Sequence, residues 1–190
     1  MRIISNSWSL RIAVCCLFIM PAVTQAQDLN FNRAWWNAVH ETEQTGFVLG
    51  FFDCSSAPKM VYGATSDDYI AFVKDYLLKV GGVSKNAVPV ALREAHHDMH
   101  SRPVLKGGEL YKEKHGWLDG EWWGDAQHGN PEEKLGYVEG YLSCEFGTAT
   151  AHETHQYVNA LNRHFAIEAN EHDKIANVLQ PILEREKTKS

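Results

Sequence analysis

Histidine is the residue type that stands out chemically. The chain holds ten, and all of them follow residue 26. His96 and His100 are four apart, with His97 and Asp98 between them; His152 and His155 are three apart, around Glu153. Neutral imidazoles at such spacings share a helix face and serve as zinc ligands. His152-Glu-Thr-His155 is one residue short of the zinc-protease pattern, which needs two residues between the glutamate and the second histidine. The first pair has no counterpart in the second half of the chain. A solvated, histidine-rich surface accounts for the same residues, with zinc binding or metal-dependent hydrolysis as the alternative. Below about pH 6 these side chains gain charge, which predicts a pH response.

Other reactive types are present without a constellation. Ser55 and Ser56 follow Cys54 but lack the glycine-rich elbow of a serine nucleophile. Asp119, Glu121, Asp125, Glu132 and Glu133 fall on predicted loops and first helical turns, where helix dipoles and solubility explain them. No phosphate-cradling glycine loop occurs. The sequence therefore indicates no catalytic residue and no cofactor.

Cysteine depends on compartment. Arg2 and Arg11, the apolar run from Ile12 to Val23, and small residues at Thr24 and Ala26 form a secretory leader with cleavage expected before Gln27. Residues 1–26 are thus expected to be removed, leaving 27–190 as one domain in the periplasm or outside the cell. The net charge of −6 becomes −8 once a leader with two arginines and no acidic residue is lost. With no basic patch, nucleic acid is not an expected partner, and no later segment is apolar enough to span a membrane. Cys54 and Cys144 survive processing. An even cysteine count in an exported chain reads as a disulfide, with buried free thiols as the alternative.

The elements that position these residues come in two copies. Gly46-Phe-Val-Leu-Gly-Phe-Phe-Asp-Cys54 is answered by Gly136-Tyr-Val-Glu-Gly-Tyr-Leu-Ser-Cys144, where Leu49 becomes Glu139 and Asp53 becomes Ser143. Gly46, Gly50 and Cys54, like Gly136, Gly140 and Cys144, lie four apart, a stripe of small residues on a helix. Interior glycines cost about 1 kcal/mol each against alanine. A close crossing of the two signature helices would offset that cost, and a bridge at one end requires them to run roughly parallel. Phe47, Phe51, Tyr137 and Tyr141 flank the stripes and read as core.

Asn130 caps the second signature helix, Pro131 suits its first position, and Glu132-Glu133 suit its dipole. A second helix follows in each copy, one capped at Ser66 and ended by Gly81-Gly82, the other opened by a capping box from Thr150 to Glu153. A third runs from Asn86 to about His97, and its partner from Lys174 to Glu186, where Pro181 predicts a kink or restart. The expected fold is all-α: a single domain of two pseudo-symmetric three-helix repeats, 31–98 and 117–187, joined by a linker over 101–116. Trp35-Trp36 and Trp122-Trp123 precede the signature helices. The loop Gly116 to Gly124 has the spacing of a sugar-stacking surface, but recurrence of the pair at one structural position favours packing.

The Gly-Tyr-Val-x-Gly-Tyr helix ending in cysteine resembles the signature helix of small exported bacterial immunity proteins. Those are helical, disulfide-bearing periplasmic proteins that bind and block cell-wall amidases. The likeness covers about Glu132 to Cys144 and, more faintly, Gln44 to Cys54. The chain is equally similar to uncharacterised exported bacterial proteins with a Trp-Trp, Glu-Lys, Gly-Tyr-Val-x-Gly signature. The resemblance implies a non-catalytic module that binds another exported protein. It transfers no inhibitory residue, because this chain carries two copies of the motif and two mature cysteines.

Overall fold

The computed structural model describes residues 28–81, 84–101, 118–125 and 129–187. The leader and nearly all of the expected linker lie outside them. Among the described residues the protein is all-helical, a single body of eight α-helices with two isolated β-bridges and no strand. No described helix is long and apolar enough to cross a membrane. In chain order they are α1 (Arg33–Ala38), α2 (Glu41–Asp53), α3 (Ser66–Lys79), α4 (Ala87–Ser101), α5 (Gly120–Gly124), α6 (Pro131–Phe146), α7 (Ala151–Phe165) and α8 (Ile175–Lys187), with a 3₁₀ turn at Glu168–Asn170.

The axis of the molecule is the crossing of α2 with α6, its most extensive helix contact. The glycines set the distance. A methyl group on Gly46 would stand 2.0 Å from the Glu133 carbonyl oxygen, and one on Gly136 2.0 Å from that of Glu43. On Gly50 it would meet the Tyr137 carbonyl oxygen at 1.9 Å, and on Gly140 that of Phe47 at 2.0 Å. Backbone therefore lies on backbone over two turns of each helix. Numbers rise together along both helices, so the crossing is parallel. Cys54 and Cys144 meet at its C-terminal end as a disulfide, with Cα atoms 6.4 Å apart.

The helix starts follow side-chain capping. Asn130 accepts from the Glu133 amide at 2.9 Å with Pro131 behind it, and Thr150 forms the expected box with Glu153. In α3 the cap is Thr65, one residue earlier than the expected Ser66, because Asp68 can return its carboxylate to the Thr65 amide at 2.8 Å. A run of four candidate caps and carboxylates hides that register from sequence. Helix α4 continues to Ser101, beyond the expected end near His97. Helix α8 passes through Pro181 without interruption.

The tryptophan pairs belong to two short helices beyond the three expected per half, capped by Asn32 and Asp119. Trp36, Trp122 and Trp123 are buried, so packing, not sugar stacking, is their role. Trp36 meets Phe47 edge-on at 6.3 Å and 85°, and Trp123 meets Tyr137 at 6.3 Å and 84°. Around this aromatic centre, α3 and α4 pair on one side, with α3 against α2; α7 covers α6 and α8 covers α7. Helix α3 buries the face that carries Tyr69, Val73 and Leu77.

Candidate functional site: a carboxyl pair inside the helix crossing

The strongest chemical anomaly lies in the crossing. Glu139 sits in the middle of α6, at the position that Leu49 holds in α2. It is only 4% exposed, and its Oε2 has no hydrogen-bond partner. Its carboxyl is hydrogen-bonded to that of Glu43, which is half-buried in the first turn of α2. Burial, and then the Glu43 charge, push the Glu139 carboxyl up to about 9. Burial also raises Glu43. Two carboxylates in one dry site repel, so the pair holds a proton at neutral pH. Glu133, 4% exposed and one turn from the start of α6, is pushed up to about 8 by burial and by the nearby Asp125 charge.

Outside the pair, the two helix starts are joined across the surface. The Thr42 hydroxyl donates to Glu132 Oε2 at 2.8 Å, and His40 Nδ1 lies 3.3 Å from the same oxygen. At the other end, the Tyr137 hydroxyl donates to Asp53 Oδ2 at 2.6 Å. Tyr137 is fully buried, and burial together with Asp53 holds its proton on well above the usual tyrosine range. These contacts bind helix to helix. Glu139 is enclosed by the crossing, which keeps it from acting on a bound substrate.

The histidine candidates lie elsewhere. His96 and His100 stack on α4 with ring centres 5.9 Å apart and planes 9° from parallel. His96 also packs on Phe52 at 6.1 Å. Burial, then His100 and His97, lower its pKa, favouring the neutral ring. His152 and His155 are exposed on α7, and His152 contacts Gln156 at 3.2 Å. Among the described residues, the group of three potential metal-binding side chains is instead Glu121, Glu171 and His172, whose ligand atoms lie within 4.8 Å of one another. The Glu121 amide donates to the Glu171 carbonyl at 2.9 Å, which brings α5 to the 3₁₀ turn. Sequence spacing could not find a trio split 50 residues apart. The burial of Glu139 did leave a trace, a charged residue where the first copy has leucine.

No known protein family, curated protein or solved structure matches the chain.

Proposed function

We propose that the chain is a non-catalytic protein-binding module of an exported protein, periplasmic or secreted, inhibitor- or immunity-like in use and built by internal duplication. The observation that favours this reading is the division between inward chemistry and outward apolar surface. The cysteines are bridged, Trp36, Trp122 and Trp123 are buried, and the raised carboxyls face the helix crossing. Leu78 and Val80, at the end of α3, are 63% and 52% exposed, and Val90 in the first turn of α4 is 41% exposed. Leu78 and Val80 follow one another at the C-terminal end of α3, and Val90 lies near the N-terminus of α4, the helix packed against it. Exposed apolar side chains gathered on a rigid surface are the usual core of a protein interface. A photo-crosslinking residue placed at 78 or 90, in the cell of origin, should yield one discrete adduct with an exported protein. The same residue at exposed Arg163 on α7 should not. Equal labelling from all three positions, or none, would refute the proposal.

A second reading, a zinc-binding protein, draws on Glu121, Glu171 and His172 more than on His96, His100, His152 or His155, because among the described residues only the former converge as three. It predicts a zinc adduct in the native mass spectrum that His172→Ala removes.

A further inference from the structure

The two ends of the α2–α6 crossing are held differently. The C-terminal end is closed covalently by Cys54–Cys144. The N-terminal half has no covalent tie. It is held by the glycine contacts, by the hydrogen bond between the Glu43 and Glu139 carboxyls, and by Thr42 and His40 on Glu132. Two carboxyl groups bond to each other only while at least one carries a proton.

We propose that the crossing is a proton-operated latch, pinned at its disulfide end and closed at the other by the proton that Glu43 and Glu139 share. Loss of that proton leaves two carboxylates facing each other in a buried site. Opening at the unpinned end lets water reach both.

Two exposed neighbours bear on Glu43 in opposite directions. Glu132 on α6 adds negative potential at Glu43, while His40, ahead of α2, attracts it and, when protonated, pairs with Glu132. Nearby on α2, Glu41 is already paired with Lys74 of α3 at 3.4 Å, so that lysine is not spare. Asp125, after α5, bears on Glu133 and not on the pair. Acid thus tightens this end by keeping the shared proton, and alkali removes it.

The sign follows from where the proton goes. The closed state retains it and the open state releases it, so the opening equilibrium rises about tenfold per pH unit until the closed pair itself ionises. Amide hydrogen exchange of the intact, oxidised protein between about pH 6 and 9 tests this, with the intrinsic base-catalysed rate divided out. Protection in the N-terminal halves, at Thr45 to Leu49 and Leu135 to Glu139, should fall by about tenfold per pH unit. Protection beside the pin, at Phe52 and Ser143, should not. In a Glu133→Gln background, which removes the other raised carboxyl of this end, Glu139→Gln keeps the shape without the charge, and Glu139→Leu restores the residue of the other copy; both should flatten the dependence. The latch is overturned if wild-type protection is independent of pH or falls equally at both ends. It is also overturned if either variant that folds keeps the wild-type slope.

Discussion

Replacing Gly50 by alanine tests the packing at its tightest point. The new methyl carbon would lie 1.9 Å from the Tyr137 carbonyl oxygen, 2.7 Å from its carbonyl carbon and 2.9 Å from its Cα. All three are backbone atoms, so no rotamer change relieves the clash. Ordinary contact distances require the helices to part by roughly 1–1.5 Å, enough to forfeit a quarter to a half of the dispersion well at each interhelical contact. Alanine gains about 1 kcal/mol of helix propensity. Overpacking of a rigid core costs about 1–3 kcal/mol, and more when the backbone itself must move. A net loss of about 2 kcal/mol or more follows, a fall in Tm of at least about 4–8 °C for a domain of this size. Gly50→Ala and Gly140→Ala together should cost less than the sum, since the first already widens the crossing. Urea denaturation of the oxidised protein reads both. Gly124→Ala, where an added carbon meets nothing within 4 Å, is the control and should stay near the wild type. A Gly50→Ala protein as stable as the wild type would refute the backbone contact.

Three further outcomes follow. Glu133 has its folded pKa raised to about 8 against an ordinary 4.5, so its contribution to stability is complete below about pH 4.5 and is lost as pH rises towards 8. Glu133→Gln should remove up to about 1.4 kcal/mol per pH unit of that decline, measured as urea midpoints at several pH values. Tyr137→Phe keeps the ring that Phe47 supplies in α2 but strips Asp53 of its donor, and should cost about 1–3 kcal/mol in the same assay. Thr150→Ala breaks the capping box of α7 and should cost about 1 kcal/mol, seen as lost protection in its first turn.

Repetition made the frame legible in sequence. Two glycine stripes at the same spacing as two cysteines imposed a parallel crossing, and Gly46, Gly50, Gly136 and Gly140 all lie in it. Local chemistry located Asn130 and Thr150 as caps for the same reason: one side chain and one amide decide them. What stayed hidden depended on tertiary contact. The short helices around Trp35-Trp36 and Trp122-Trp123 fall below the length at which periodicity can be read, and exist because Asn32 and Asp119 cap them over a buried ring. Pro181 reads as a break, yet α8, which packs on α7, runs through it. Glu43 and Glu139 were ordinary carboxylates in sequence, because their pairing needs the interlocked register of two helices 90 residues apart. The pairs His96/His100 and His152/His155 carried the opposite lesson. Ligand-like spacing on one helix supplies two donors, and a third must come from another element.

The central claim is that α2 and α6 cross in parallel with glycine against backbone. Proton–proton NOEs in an isotope-labelled sample test it most directly. A parallel crossing gives contacts from the Gly46 Hα to the Tyr137 amide and, reciprocally, from the Gly136 Hα to the Phe47 amide, since carbon added at either glycine would stand 2.8 Å and 3.0 Å from those nitrogens. Intact helices without these two contacts, or with Gly46 paired to the Cys144 end of α6, would contradict it.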